Sequence, residues 1–279
     1  MSEVERQSSY EGVIARRIIS HSEVEALGQC ETKHYYGHEL KITSKSHSVG
    51  LQRGTDGHVF FETFFKSILA GNSNTHAKTE AIMATAGLQY GPEIINKCSV
   101  WVDKIWPTLG WKIVAVELEL RVAISETLVY ACKIDLLVEI KGVLVLVDHK
   151  FLYDFYTQQL VDIFPQMPKY MAALRQHGYD VKYAIYNMVR TREVTDFDKK
   201  YQQLETHPND FRIKNAFREQ VQVMKRIDEG IVNPTHTANK MNCANCQFAD
   251  LCAEDLAGKS TKLMIEAFYV PNTYGYEDI

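Results

Sequence analysis

Residues 111–150 decide the fold of this chain, because three successive segments have the residue pattern of β-strands. They read WKIVAVELELRVAI (111–124), TLVYACKIDLLVEI (127–140) and VLVLVDHK (143–150). In the first segment Val116 and Leu118 share one face and Glu117 lies on the other, which is the period of two of a strand. Lys141-Gly142, between the second and third segments, indicates a hairpin turn. We therefore predict a three-stranded meander at the centre of the molecule.

Helices are predicted on both sides of this meander along the chain. The N-terminal part has helical patterns, and the one from about Thr55 to Ala70 carries a wide apolar stripe that includes four phenylalanines. After the meander we expect a helix over residues 166–177, a strand over 179–190 and a long helix over 209–229. This order predicts an α/β fold, in which one core is joined to an added helical region that carries cysteines.

Length and composition limit the class of protein. The chain has 279 residues, of which 46% are hydrophobic and 24% charged, as in globular proteins, so a disordered, collagenous or coiled-coil chain is excluded. No apolar run approaches the roughly 20 residues of a membrane span, and we expect no membrane partner. The N-terminus is polar and acidic, unlike a signal or transit peptide, from which we expect an intracellular, cytoplasmic protein. The net charge of −4 argues against a wholly basic nucleic-acid coat, but it leaves room for a local basic groove.

Two carboxylates and a lysine are expected at one edge of the sheet. Asp135 lies in the second strand, and Asp148 and Lys150 point to one face at the end of the third, with His149 on the other face. Strands joined by a tight turn lie about 4.8 Å apart, so Asp135 and Asp148 can meet. A hard cation such as Mg²⁺ or Mn²⁺ would remove their repulsion, and Lys150 could orient water or neutralise charge on a phosphate. The alternative is a strand-end turn with a solvated charge pair.

Four further side chains are candidates for the same site. His58 lies on the phenylalanine-rich helix and could supply an imidazole to a metal, although a lone histidine is more often part of a core. Gln166 and Tyr170 lie four residues apart at the start of a helix, where an amide and a ring suit a phosphate and a stacked base. The alternative for this pair is ordinary packing of the ring and a solvated amide. Glu117, in the preceding strand, is a weaker candidate ligand.

The cysteines suggest a second inorganic site. Cys243, Cys246 and Cys252 place three thiolates within ten residues, and such ligands select zinc or an iron–sulfur cluster, each of which needs four ligands. Cys98 and Cys132 lie in apolar patterns, so Cys30 is the best fourth ligand. The alternative is three unligated cysteines.

Taken together, these residues resemble the RecB/AddB-type nucleases of the PD-(D/E)xK superfamily. The likeness is to the four-cysteine branch, which includes CRISPR-associated single-domain exonucleases and related phage enzymes. The order that carries it is Cys30, His58, Asp135, Asp148-His149-Lys150, Gln166-x3-Tyr170 and the three late cysteines. Asp148 stands where glutamate is common, and Pro165 and Pro168 bracket Gln166.

The resemblance implies a fold, a reaction and two cofactors. It implies a restriction-endonuclease-like core over about residues 55–205, with segments 1–54 and 206–279 joined by the cysteines into one nuclease domain spanning 1–279. It implies a [4Fe–4S] cluster on the four cysteines, or zinc as the alternative. It further implies Mg²⁺ or Mn²⁺ held by His58, Asp135, Asp148 and the main-chain carbonyl of His149.

The reaction implied is metal-dependent digestion of DNA from its ends, with Lys150 activating water and Gln166 and Tyr170 contacting DNA. Its setting would be recombination, repair, replication or phage DNA metabolism. The substrate would have a single-stranded segment or a free end, and a helicase or recombinase is a possible partner. The alternatives are a structure-specific endonuclease with the same residues and a non-catalytic nucleic-acid-binding module whose two ends are held together by the cysteines.

Overall fold

The computed structural model describes residues 17–46, 48–228 and 234–272. Its strands are β1 (Arg17–Ile19), β2 (Ile42–Ser44), β3 (Lys112–Ala123), β4 (Leu128–Ile140), β5 (Val143–Leu152), β6 (Val181–Arg190), β7 (Tyr201–Thr206) and β8 (Tyr269–Pro271). Its α-helices are α1 (His21–Gln29), α2 (Glu31–His34), α3 (Val49–Leu69), α4 (Asn74–Thr85), α5 (Gly91–Lys104), α6 (Trp106–Leu109), α7 (Gln158–Ile163), α8 (Gln166–Gln176), α9 (Asp210–Lys214), α10 (Arg218–Asp228), α11 (Lys240–Cys243), α12 (Ala249–Leu256) and α13 (Lys262–Phe268).

A mixed sheet of six strands forms the centre of the protein. The strands β3, β4 and β5 form the antiparallel meander, β6 then pairs in parallel with β5, and β7 pairs antiparallel with β6. The short β1 runs parallel to the beginning of β4. Helices flank this sheet, which confirms the predicted α/β fold with a restriction-endonuclease-like core.

Each face of the sheet has its own apolar core. On one face Met171 and Leu174 of α8 are fully buried together with Tyr130 of β4. On the other face the apolar stripe of α3, including Phe61, packs with Trp101 of α5. These two cores hold α3 and α8 against opposite faces of β4 and β5, the strands that carry the predicted acidic residues.

Some boundaries differ from those expected from the sequence. Helix α3 begins at Val49 instead of near Thr55, because the hydroxyl of Ser48 accepts the main-chain N–H of Leu51 and caps the helix. The long helix expected over 209–229 is interrupted after Lys214, and its end, with Gly230, lies outside the described residues. The pairing partner of β6, strand β7, was not predicted.

A small third core connects the N-terminal and C-terminal parts of the described chain. Strand β2 pairs antiparallel with β8, and beside them Tyr36, Phe248 and Leu251 are buried. The oxygen of Asp255 accepts a hydrogen bond from the hydroxyl of Tyr36 at 2.9 Å. This core lies next to the four clustered cysteines. Throughout the described residues, each helix is too short or too polar to span a lipid bilayer.

Candidate active site

The two predicted carboxylates come from adjacent antiparallel strands. The register of β4 and β5 pairs Leu136 with Val147, and one further step places Asp135 opposite Asp148. At that point the main-chain N–H of His149 donates to Oδ2 of Asp135 at 2.8 Å. Side chains at opposed positions have Cβ atoms about 4.5–5.5 Å apart, so both carboxyl groups lie at one edge of the sheet.

Burial and repulsion act together on these acids. Asp148 is only 3% exposed. Burial raises the pKa of Asp135, and the charge of Asp148 raises it further, while His58 and Lys150 oppose the shift. Because burial and the charge of Asp148 both disfavour ionisation of Asp135, a divalent cation bound beside the two carboxyl groups would offset that cost.

Lys150 is held at the same edge by Asp148. Its Nζ lies 2.8 Å from Oδ2 of Asp148. Burial alone would lower the pKa of Lys150, but the charges of Asp148 and Asp135 outweigh it and raise the pKa above its ordinary value. The ammonium group is therefore charged at neutral pH, and it lies beside the acidic pair.

Helix α3 brings His58 to Asp135. Nδ1 of His58 lies 3.6 Å from Oδ2 of Asp135. This approach depends on Gly57, because a Cβ atom there would lie 2.2 Å from the ring of Phe151 in β5. The absence of a side chain at this position lets the helix rest directly on the strand beside the acids.

Glu117 completes a group of three possible metal ligands. Its backbone has a φ of 52°, which interrupts the regular alternation of β3. One ligand atom each from His58, Glu117 and Asp135 lies within 4.8 Å of the others. Burial raises the pKa of Glu117, the hydrogen bond from Lys133 opposes that shift, and Asp135 adds to it. The sequence had indicated Glu117 only weakly, because a left-handed residue inside a strand leaves no mark in an alternating pattern.

Gln166 and Tyr170 lie beside Asp148. Nε2 of Gln166, the first residue of α8, donates to Oδ1 of Asp148 and to the hydroxyl of Tyr170, at 3.1 Å in both cases. The two side chains thus form a polar wall on the side of the acidic pair that faces α8.

The imidazole of His149 points away from the acids. It stacks on the ring of Phe61, with 4.5 Å between ring centroids, and burial lowers its pKa well below the ordinary value. Its Nδ1 lies 2.9 Å from Nδ2 of Asn187, whose oxygen accepts from Gln203. Only the backbone of His149 is placed at the acidic edge. Asn187 was not predicted, because a polar residue inside an apolar strand has no partner that the sequence can show.

The four clustered cysteines come together from both ends of the chain. After burial, the charges of Cys30, Cys246 and Cys243 raise the pKa of Cys252, so the four thiols act on one another. Nδ1 of His236 lies 3.0 Å from Sγ of Cys252. His236 was not predicted either, because a histidine that precedes the cysteines lacks the spacing of a zinc finger.

Hydrogen bonds tie the two segments that carry these cysteines. Thr235 donates its main-chain N–H to Glu31 at 2.9 Å, and its carbonyl accepts from the hydroxyl of Thr32 at 3.2 Å. Nδ2 of Asn242 donates to the carbonyl of Gln29 at 3.0 Å. The residues after β7 are thereby fixed against α1 and α2, next to Cys30.

Comparisons with known proteins gave solved structures and a family model. An exonuclease candidate from Eubacterium rectale has a similar structure, with a TM-score of 0.50 and 14% identity over 79% of this chain and 84% of that one. The alkaline exonuclease LHK-Exo from Laribacter hongkongensis gives a TM-score of 0.31 and 12% identity over 72% of this chain and 93% of that one. The search of curated proteins finds no match. Residues 18–253, which contain all the site residues described above, match the family model of the PD-(D/E)XK nuclease superfamily, and the chain belongs to that superfamily.

Proposed function

We propose that the protein is a metal-dependent DNA exonuclease that hydrolyses phosphodiester bonds from DNA ends. The observation that carries this proposal is the meeting of Asp135 and Asp148 across two antiparallel strands, with the ammonium of Lys150 2.8 Å from Asp148. Recombination, repair, replication or phage DNA metabolism is the proposed setting, and a substrate with a free end or a single-stranded segment is the proposed partner.

The donor set suits Mg²⁺ or Mn²⁺. His58, Glu117 and Asp135 bring one ligand atom each within 4.8 Å of one another, and oxygen-rich sites select these hard cations. Asp148 and the carbonyl of His149 are the further proposed ligands. A bound divalent cation supplies Lewis-acid activation of water and neutralises charge on the phosphate.

The protein side chains have separate proposed tasks. Lys150 donates hydrogen bonds to the attacking water or to a phosphate oxygen, and its raised pKa keeps it charged while doing so. Gln166, which already bonds Asp148 and Tyr170, turns its amide toward the phosphate, and the ring of Tyr170 lies beside the nearby nucleotide. Such a fixed arrangement lowers the barrier by positioning the reactants.

A [4Fe–4S] cluster is the proposed occupant of the four cysteines. It is supported by the mutual effect of the thiols on the pKa of Cys252 and by the hydrogen bonds that hold the Cys30 segment to the late cysteines. Sulfur ligands of a tetrahedral zinc, at about 2.3 Å from the metal, lie within about 4 Å of one another. Zinc on the same four cysteines is the alternative occupant.

The nuclease proposal is tested with end-labelled linear DNA and the purified protein in Mg²⁺ or Mn²⁺. Wild type should release labelled nucleotides, and Asp148→Asn and Lys150→Ala should each lose at least about 100-fold in rate, as expected when a charge-stabilising group is removed. Asp103→Asn, a change to an exposed carboxylate paired with Lys78, is the matched control and should retain activity. Cleavage that persists in both active-site variants would refute the site.

Covalently closed circular DNA distinguishes the reaction types. An exonuclease leaves it intact, whereas an endonuclease nicks it. Absence of cleavage on linear, circular, single-stranded and double-stranded substrates would instead support a non-catalytic binding module. For the cysteines, anaerobically purified protein should be brown, and Cys246→Ser should lose the colour; colourless protein with one equivalent of zinc would contradict the cluster.

A further inference from the structure

A basic pocket lies outside the acidic site, between α5, the end of β6 and the beginning of β7. Its lining contains four cations, one carboxylate and one phenol: Lys97, Arg190, Arg192, Lys200, Glu193 and Tyr201. We call it the Lys97–Arg190 pocket. None of these residues is part of the proposed metal site or of the cysteine group.

The pocket is built from fixed parts. The main-chain N–H of Arg190 donates to the carbonyl of Lys200 at 2.9 Å, and the hydroxyl of Tyr201 donates to the carbonyl of Lys97 at 2.7 Å. The side chains of Lys97 and Arg190 are each only 12% exposed. Two mostly buried cations thus border the pocket before any ligand binds.

Arg190 has hydrogen-bonding capacity left over. Its guanidinium lies over the ring of Phe155, 4.2 Å from the centroid, and NH1 bonds the exposed carboxylate of Asp154 at 3.1 Å. Its Nε is buried and has no hydrogen-bond partner among the described residues. A buried donor of this kind is costly unless it is paired, so it favours an acceptor in the pocket.

Glu193 shows that an anion is favoured at this point. Its carboxylate is 85% exposed and lies 2.9 Å from Nζ of Lys97. The hydrogen bond and the charge of Lys97 lower the pKa of Glu193, and Lys200 and Arg53 lower it further. Because exposed ion pairs contribute little free energy, a ligand with more charge and more acceptor oxygens can displace this carboxylate from Lys97.

At the pocket, Arg190 ends β6 beside the end of β5 that carries Lys150, whereas α5 packs on the face of the sheet opposite the Lys150 side chain. In the parallel pair β5–β6, Lys150 is opposite Met188 and Leu152 is opposite Arg190. Two residues along a strand and one strand across place the Cα atoms of Lys150 and Arg190 about 8 Å apart. A strand that crosses the carboxyl ends of β5 and β6 could therefore approach both Lys150 and Arg190.

We propose that the Lys97–Arg190 pocket binds a backbone phosphate of the nucleic-acid strand whose scissile phosphate lies at Lys150. This inference rests on the proposed function, and it adds a second point of contact. Arginine and lysine together suit phosphate oxygens, because the guanidinium gives directed donors and the ammonium a compact charge. The contact would fix the position of the strand along the sheet edge without reading its sequence.

The test measures binding of a fluorescent single-stranded oligonucleotide by anisotropy, with a chelator present to prevent cleavage. Arg192→Gln/Lys200→Gln should weaken binding several-fold and reduce the slope of log K against log salt by about 0.7 for each phosphate that the variant no longer neutralises. Glu193→Gln should have the opposite sign and tighten binding, because it removes the competing carboxylate. Lys182→Gln, an exposed lysine at the other end of β6, is the matched control and should not alter binding.

If these residues had only a structural role, the neighbouring variants would not change the oligonucleotide affinity in opposite directions. The proposal is overturned if the double variant behaves like the Lys182→Gln control, or if Glu193→Gln weakens binding. Two parallel measurements use other anions: calorimetry tests binding of inorganic phosphate, and sedimentation tests binding of anionic vesicles. If the pocket binds either of these anions but does not bind the oligonucleotide, the proposal is also overturned. Cleavage of linear DNA is measured separately. If the pocket binds the oligonucleotide but the protein does not cleave DNA, the present inference stands and the nuclease proposal fails.

Discussion

Gly57→Ala is expected to separate α3 from β5 at the acidic edge. A Cβ at this position would lie 2.2, 2.3 and 2.4 Å from three atoms of the Phe151 ring. Carbon atoms in contact prefer about 3.5–4.0 Å, so the helix or the ring has to move by about 1.3 Å or more. The ring is 8% exposed and packed against Phe61, so it has little room to give way.

Two opposing effects set the size of the change. Overpacking of this kind costs about 1–3 kcal/mol. Alanine gains back up to about 1 kcal/mol over glycine inside a helix. The net effect is a loss of about 0–2 kcal/mol of stability, together with a displacement of His58 from Asp135. Misplacement of a catalytic group by about 1 Å can cost 100-fold in rate, so activity should fall more than stability.

Gly54→Ala is the matched control, since nothing lies within 4 Å of a Cβ at that position of the same helix. It should be neutral or stabilising by up to about 1 kcal/mol. Urea unfolding and initial rates of DNA cleavage in Mn²⁺ are the measurements. Phe151→Leu removes the part of the ring that clashes, so Gly57→Ala/Phe151→Leu should show favourable coupling in a double-mutant cycle. Equal behaviour of the two alanine variants, with no coupling to Phe151→Leu, would refute the close contact as the cause.

Three further predictions concern the metal, the hydrogen-bond partner of His149 and pH. Mn²⁺ at 100 times its Kd should stabilise wild type by about 2.7 kcal/mol in thermal unfolding, and Asp135→Ala should abolish that gain; an unchanged gain would exclude Asp135 as a ligand. Asn187→Leu removes the partner of His149 Nδ1 at 2.9 Å and should lower the free energy of urea unfolding by about 1–3 kcal/mol; an unchanged midpoint would contradict it. Because the pKa of Lys150 is raised in the folded state, its stabilising contribution is complete below about pH 10.4 and disappears as pH rises through the folded-state pKa. Above that pH, wild type should therefore lose stability more steeply than Lys150→Met. If the urea midpoints of the two proteins fall equally with rising pH, this prediction is wrong.

The central strands and the faces of their side chains follow from local residue patterns. Alternation with a period of two places Asp148 and Lys150 on one face and the ring of His149 on the other, since successive side chains of a strand point in opposite directions. The tight turn at Lys141-Gly142 limits the register, and this register places Asp135 opposite Asp148. Such features depend on neighbours within a few residues, so they can be read without the fold. The metal, cluster and DNA-contacting roles of the site residues stay predictions.

The way in which distant segments meet depends on packing that local residue patterns do not encode. The position of His58 follows from the close contact of Gly57 with Phe151, and nothing in the helix itself specifies that contact. Likewise, the pairing of β7 with β6 and the approach of His236 to Cys252 depend on packing between segments far apart in the chain. Residue patterns report which face is buried, but they do not report which surface buries it, because apolar burial is non-directional and many partners would satisfy it equally.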